Sequence, residues 1–499
     1  MSSTTNSADI EVLRQQLSPT PCNIVRELVR AGHEAYIVGG AIRDLILGKV
    51  PKDYDISTSA TPEEVRAVFG RRRCHVIGRR FRLAHVYSNG DIYEVSTFRR
   101  VPNEVERQGR KEDAGPIIWN DNCFGTLEED ALRRDFTCNC LYFDVTGDRG
   151  IIDFCGGLED IAAGVVRCIG EPAQRFDEDP VRMLRALKLV AQCGFQLEPG
   201  MAGIIREKAA GIRLASSSRL FEELLKILNN PSAHRTFQVM HDYGFLKYFW
   251  PTLDECWNEQ GGELVRHLLK LRGDSMRAGR YSNSRALALS TVVLPFIMFA
   301  LNPENPAELW KRSADTDEIF NRAMRLIFEG FQLPNVFLER IRQIIGLVPR
   351  LVNGNPAAVQ KALGHPEYRY ARALVVLLMQ LFGWPQDKLE ELPEFSPFYE
   401  EQPGQGRSRR SRHRKGSQNS NAAAQEAQPA AEAEEPAADE DSADAGEDAA
   451  PEYALTEEEA DTESAETVKF PVEAESAVEA AAEAEASESA AEAAVPAPA

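Results

Sequence analysis

Val38-Gly39-Gly40-Ala41-Ile42-Arg43-Asp44, followed nine residues after Asp44 by Asp53-Tyr54-Asp55, is the stretch on which the reading of this chain turns. Ala35 to Val38 reads as a short apolar strand, and Ala41 to Leu47 has helical spacing. Two glycines between a strand and a helix let the backbone approach a phosphate, and the N–H groups of the helix start favour its negative charge. Arg43, one turn into the helix, can add a charged fork to the same phosphates. Asp53 and Asp55 lie two apart in a strand-like run, Lys52 to Ser57, so both carboxylates are expected on one face. Two like charges side by side are costly unless a cation sits between them, and a divalent metal is the obvious one. The competing reading is a plain turn and a solvated loop; the glycine pair coupled to Arg43-Asp44 and both aspartates at this spacing favours a phosphate and metal site.

Outward from this stretch the chain divides by pattern. Residues 1–20 are polar and read as a flexible leader. Over 21–165 helical and strand-like segments alternate. The clearest signal is a hairpin: Leu83 to Tyr87, the Asn89-Gly90 turn, then Ile92 to Phe98. Beyond about 166 nearly every periodic segment is helical. The expectation is therefore an α/β head (21–165), a helical neck (166–235) and a helical body (236–395). Residues 396–499 are too polar and too rich in Ala, Glu and Pro to offset ordering entropy and are expected to be disordered. The apolar window Ala286 to Leu301 contains Ser290, Thr291 and Pro295, is too short to cross a bilayer, and reads as a buried helix.

The formal net charge is −20, with 57 Lys and Arg against 77 Asp and Glu. That balance belongs to the end of the chain. Residues 421–499 hold 24 acidic side chains and one basic, Lys469, while the other 420 residues sum to +3. Overall acidity therefore does not exclude a polyanionic partner for the folded part. The nine cysteines are an odd number without a CxxC pair, which fits reduced thiols and a cytoplasmic protein.

Three further motifs follow in order: Arg133-Arg134-Asp135-Phe136-Thr137; Asp153-x-x-Gly156-Gly157 with Asp160; and Glu178-Asp179-Pro180-x-Arg182-x-x-Arg185. Together with the first, they make the chain resemble the class II nucleotidyltransferases of the polymerase beta superfamily, which include bacterial poly(A) polymerases and CCA-adding tRNA nucleotidyltransferases. The resemblance runs motif by motif over about residues 22–230 and more loosely to about 395. It implies a polymerase-beta-like head, ATP as substrate, RNA 3′ ends as acceptor, and two Mg²⁺ ions held by Asp53 and Asp55. Asp135 is the implied third carboxylate, with Glu94 on the hairpin strand as its competitor. Gly39, Gly40, Arg43, Asp44 and Arg134 are the implied nucleotide contacts. An ordinary ion pair with Glu128, Glu129 or Asp130 is the competing account of Arg133 and Arg134. Asp179, Arg182 and Arg185 would read the Watson–Crick edge of the base, against the plainer reading of a capped surface helix with charge pairs.

Both branches share these motifs. Val76 to Val86, with Arg79, Arg80 and Arg82, resembles the arginine-rich approach to a strand in bacterial poly(A) polymerases, and Asp121 to Asp130 resembles their run into Arg-Arg-Asp. Asn120 stands where those enzymes usually carry arginine. The basic run holding Arg407, Arg409, Arg410, Arg412 and Arg414 resembles the extension of the poly(A) branch; flexible arginines bind phosphates without regard to sequence, although a solvated linker has the same composition. With Arg66 and Arg71 to Arg73, the arginines near the first motifs are expected to track RNA. The resulting expectation is template-independent addition of AMP to RNA 3′ ends, feeding RNA turnover. A CCA-adding enzyme and a non-catalytic RNA-binding protein are the alternatives.

Overall fold

The computed structural model describes residues 13–78, 82–101, 123–280, 284–302, 305, 309–310, 314–353, 356–384 and 392. Arg79, Arg80, Asn120, Arg407, Arg409, Arg410, Arg412, Arg414 and the tail expected from residue 396 lie outside the described residues.

Helix α1 (Pro19–Arg30) buries Cys22, Ile24, Val25 and Leu28 along one stripe. Strand β1 (Ala35–Val38) is buried on both faces because its side chains alternate between two cores. Ala35 and Ile37 enter the main core; Tyr36 and Val38 join a smaller one with Phe98, Leu127, Ala131 and Tyr142. Gly39 then turns the chain at φ +82°, a value favouring glycine, into α2 (Gly40–Ile46). Strand β2 (Asp55–Thr58) pairs antiparallel with β1, Val38 opposite Asp55. The strand read from Lys52 therefore starts three residues later. Because β1 ends at the Gly39 turn, nothing remains for residues before Asp55 to pair with.

Helix α3 (Pro62–Arg73) opens with a Thr61/Glu64 capping box and leads into β3 (Cys74–Ile77). Strands β4 (Leu83–Ser88) and β5 (Asp91–Thr97) form the expected hairpin, with Asn89 and Gly90 at φ +54° and +88°. Helix α4 (Leu127–Leu132) is followed by β6 (Leu141–Phe143) and β7 (Ile151–Asp153). The seven strands run β3-β4-β5-β2-β1-β6-β7, and β2 lies parallel to β5 with Ile56 beside Val95. This one parallel pairing puts Asp55 and Glu94 side by side.

The third sequence motif serves to brace the sheet end. Both oxygens of Asp153 are engaged, accepting from the Cys155 and Leu158 N–H groups at 3.0 and 2.9 Å, so it starts α5 (Gly157–Ala163). Asp160 accepts from the Thr137 hydroxyl at 2.6 Å and from Arg167. A Cβ on Gly157 would stand 2.3 Å from the Thr137 carbonyl oxygen, so only glycine lets α5 lie against the 137–139 turn.

Beyond β8 (Val165–Val166), which pairs with β9 (Gln196–Leu197), the described chain is helical. Helix α6 (Pro172–Glu178), α7 (Val181–Cys193) and α8 (Met201–Lys208) adjoin the head, followed by α9 (Ser217–Leu228) and α10 (Ala233–Asp242). Short α11 (Leu246–Phe249) and α12 (Pro251–Glu255) lead to α13 (Gln260–Arg277). Helix α14 (Arg285–Leu301) is the centre of the body, with α15 (Ala314–Ile327), α16 (Asn335–Asn353), α17 (Pro356–Leu363) and α18 (Tyr368–Phe382) after it. It is the apolar window read as a buried helix. Its Ser290 and Thr291 hydroxyls are fully buried and donate to carbonyls one turn back at 2.8 and 2.9 Å, so neither hydroxyl is left without a partner. Among the described residues no helix is long and apolar enough to cross a membrane, and all nine cysteines are free thiols.

Gly157→Ala is expected to destabilise the fold by about 1–3 kcal/mol, because the neighbour that must move is backbone. Urea unfolding would measure this, and an unchanged midpoint would contradict the close-contact account.

Candidate active site

The loop from β1 to α2, the sheet centre and the end of α4 border an open cavity of about 390 Å³. Its lining comprises Gly39, Gly40 and Asn139; Asp55, Leu83 and Ser96; and Arg99, Arg133, Arg134, Asp135 and Arg185. Four arginines against two aspartates give it a positive balance that suits a polyanion. A cavity in the body, about 150 Å³ beside Trp310 and Phe320, balances Arg342 and Arg350 against Asp317 and Glu339 and so lacks that positive excess.

On the sheet side, Asp55 and Ser57 project from one face of β2. The Ser57 and Ser96 hydroxyls are 3.0 Å apart, locking β2 to β5 at that level. Asp55 opens onto the cavity yet is ringed by protein. Burial first, then the neighbouring Glu94 and Asp53 charges, push its carboxyl up from 3.8 to about 6, with Arg134 pulling the other way. Carboxylates gathered this way are the donor chemistry that hard divalent cations take. Among the described residues, no three His, Cys, Asp or Glu side chains already converge at ligand spacing.

The opposite side is built on Asp130, which is fully buried at the end of α4. Its Oδ1 accepts from Arg133 Nε and Nη2 at 3.0 and 2.9 Å, and its Oδ2 from Arg134 Nη2 at 2.9 Å. The Tyr142 hydroxyl donates to Oδ2 at 2.8 Å and accepts from Arg134 Nε at 2.8 Å. Arg134 also lies over the Tyr142 ring, 5.1 Å from its centroid. Arg175 Nη2 donates to the Arg133 and Arg134 carbonyls at 2.6 and 2.9 Å, capping groups that the helix end leaves unpaired. Asp135 Oδ1 accepts from Arg182 Nε at 2.7 Å and Oδ2 from Arg185 Nη1 at 2.5 Å. Burial works against ionisation of Asp135, but Arg185 and Arg182 outweigh it and lower the carboxyl to about 2.

A family model described as the Poly A polymerase head domain matches residues 35–167, and one described as the probable RNA and SrmB-binding site of polymerase A matches 194–256. Poly(A) polymerase I of Salmonella typhimurium is 34% identical over 379 residues, which is 74% of this chain and 80% of that one. The chain belongs to the tRNA nucleotidyltransferase/poly(A) polymerase family. It is accordingly a nucleotidyltransferase of RNA 3′ ends. The other branch of the family is similar too: the CCA-adding enzyme of Lactobacillus johnsonii is 30% identical over 311 residues, 59% of this chain and 75% of that one. A solved structure of a CCA-adding enzyme in an apo form shares the fold, with a TM-score of 0.50 at 19% identity over 78% of this chain and 85% of that one.

Within this family member, the motif residues separate into those on the cavity and those behind it. Gly39, Gly40, Asp55, Arg134, Asp135 and Arg185 reach it. Gly39 contributes its turn but no donor, since its N–H already donates to the Leu141 carbonyl at 3.1 Å. Arg43 was expected to fork onto phosphate; instead it is buried, with Nε and Nη2 on Asp44 Oδ1 at 2.9 and 2.6 Å and Nη1 on Asn139 Oδ1 at 2.5 Å. Arg43 and Asp44 thus brace the glycine loop from behind. Asp53 lies before β2, not within it. Asp135, expected as a third carboxylate, has both oxygens taken by arginines, because a buried acid beside two guanidiniums is most stable as their ion pair.

The base-reading trio is likewise not assembled. Asp179 accepts from Val181 N–H at 3.1 Å and from Arg219 at 2.6 Å, and Arg182 is buried with Nη1 on the Arg175 carbonyl and Glu178. Arg133 and Arg134 both pair with Asp130, one of the partners the ion-pair account named, and both also line the cavity. Arg82 pairs with Glu63, and Arg73 with Glu27 at 3.3 Å, while Arg71 and Arg72 are exposed. Asn139, Arg99, Arg175 and Arg219 were missed. Only Asp130, three and four residues before two arginines, left a signal in the sequence.

The Asp135 pair has a defined pH signature. A carboxyl lowered from 3.8 to about 2 adds stability that is complete above the ordinary carboxyl range and is lost as pH falls from about 4 to about 2. Asp135→Asn is expected to cost on the order of 2 kcal/mol at neutral pH, with the difference from wild type shrinking below pH 4. Urea titrations over a pH series test this, and a pH-independent difference would refute it.

Proposed function

We propose that this protein adds AMP from ATP to RNA 3′ ends without a template, releasing pyrophosphate, as a cytoplasmic poly(A) polymerase whose tails feed RNA turnover. The observation that carries this reading over CCA addition is the extent of similarity. The poly(A) polymerase I match reaches 74% of the chain and continues into the helical body, against 59% for the CCA-adding match.

In this reading the cavity receives the nucleotide with its triphosphate towards Arg133 and Arg134, and Gly40 lets the chain backbone come close. Asp53 and Asp55 would hold two Mg²⁺ ions, and we assign the third carboxylate to Glu94. Glu94 adjoins Asp55 across the parallel strands, whereas the oxygens of Asp135 are committed to Arg182 and Arg185. Bound ions would lower the pKa of the RNA 3′-hydroxyl and brace the departing pyrophosphate. The chain's own residues do the remainder: the arginines neutralise the triphosphate, and Asp135 fixes the angle of Arg185, the one base-reading candidate on the cavity. Base reading by Asp179 and Arg182 requires their pairs with Arg219 and Glu178 to open. RNA approaches over the exposed arginines ending α3, with Arg82 and, outside the described residues, Arg79, Arg80 and the 407–415 run supplying further phosphate contacts.

Incubation with Mg²⁺, a generic RNA and each nucleotide singly tests the reaction. Long A tails are expected; C and A additions confined to tRNA ends would replace this reading with CCA addition, and no incorporation would leave an RNA-binding protein. Asp55→Ala and Glu94→Gln should each reduce incorporation on the order of a hundredfold or more without unfolding the protein. Near-normal activity in Glu94→Gln alongside a dead Asp135→Asn would return the third carboxylate to Asp135.

A further inference from the structure

Asp130 belongs to none of the motif positions that read as catalytic or binding, and it does not touch the cavity. It is nonetheless the most completely enclosed charge at the site, with 0% of its surface exposed. Its carboxylate is the common acceptor for Arg133, Arg134, the Tyr142 hydroxyl, the Ser57 hydroxyl at 3.3 Å and the Arg99 N–H at 3.2 Å. Three of these partners, Arg99, Arg133 and Arg134, line the cavity. A fourth, Ser57, sits two residues from Asp55 on the same face of β2 and bonds across to β5 through Ser96. One buried carboxylate thus connects the cationic side of the cavity to the strand carrying its acidic side.

We propose that Asp130 is a positioning residue for nucleotide binding: it fixes the Arg133 and Arg134 guanidiniums in register with Asp55, so that the triphosphate meets a preformed fork. This rests on the nucleotide site proposed above. The physical case is one of valence and shape. A long guanidinium side chain is free to turn in several directions, and held from behind by a carboxylate it keeps only one. Arg134 is held at three points, Asp130 Oδ2, the Tyr142 hydroxyl and Ser57 Oγ at 3.2 Å, with the Tyr142 ring against its plane. Only an ionised acid accepts from all of these groups together. An amide in its place must turn a donor towards one arginine, releasing that side chain into the cavity mouth.

The test is ATP binding and turnover in Asp130→Asn, Tyr142→Phe, Arg134→Ala and the Asp130→Asn/Arg134→Ala double variant, each checked by thermal unfolding. Asp130→Asn is expected to raise the Kd and KM for ATP at least tenfold while leaving the KM for RNA within about twofold. Tyr142→Phe, a milder removal of one support, moves ATP affinity the same way by a smaller factor, and it carries the test if Asp130→Asn does not fold. In the double variant the loss should fall well short of the sum of the two single losses, since Arg134 is gone and only Arg133 is left for Asp130 to position. A lowered Tm with unchanged ATP affinity, or additive losses in the double variant, would overturn the proposal and leave Asp130 as a purely structural acid. If Arg134→Ala itself leaves ATP affinity untouched, the nucleotide site is misread, an outcome distinct from failure of the Asp130 variants alone.

Discussion

The joint between the α/β head and the two helices after it, α6 and α7, depends on arginine–carboxylate pairing around a half-buried Asp135. Asp135, at the end of the head's arginine motif, takes Arg182 and Arg185 from α7, while Arg175 from α6 caps the two carbonyls just before it. Removing Asp135 would leave the buried Arg182 with Glu178 as its remaining carboxylate partner, which is more costly than losing a surface pair. The cavity exists where it does because these contacts hold the neck against the head.

Inside that frame the two sides of the cavity have opposite origins. The acidic side is a product of sheet order. β2 and β5 are separated by thirty-odd residues but pair in parallel, which sets Asp55 beside Glu94 and couples their charges. The basic side is a product of one short helix whose end carries Asp130, Arg133 and Arg134 on adjacent turns. Glycine supplies the approach between them, through the positive φ of Gly39 and the bare flank of Gly157 against Thr137. The third motif, which looks functional by its aspartates, keeps the 137–139 turn in place so that Asn139 meets both Arg43 and the cavity.

Much of the head was legible because its signals are local. The Asn89-Gly90 hairpin, the Gly39 turn, the α7 stripe and the buried α14 all follow from backbone preference and apolar spacing, which neighbours in sequence decide. The site was legible only as a set of residue types. Arg43, Arg182 and Asp135 are charged residues in motif positions, and from the sequence each looks ready for a ligand. In the fold each is first claimed by a partner: Asn139 for Arg43, 96 residues away, and Asp135 for Arg182, 47 residues away. Such distant pairings leave no periodic trace. Asn139 and Arg175 were passed over for the same reason.

By itself the sequence determined the family, the α/β-then-helical order of the described chain and the identity of the acids and arginines around the cavity other than Arg99, because these depend on composition, spacing and motif order. Tertiary structure alone decided which of those side chains face the cavity and which brace it from behind. That choice is a competition among buried charges for a limited number of opposite partners. Its outcome depends on distances across β2, β5, α4 and α7 that a linear pattern does not encode.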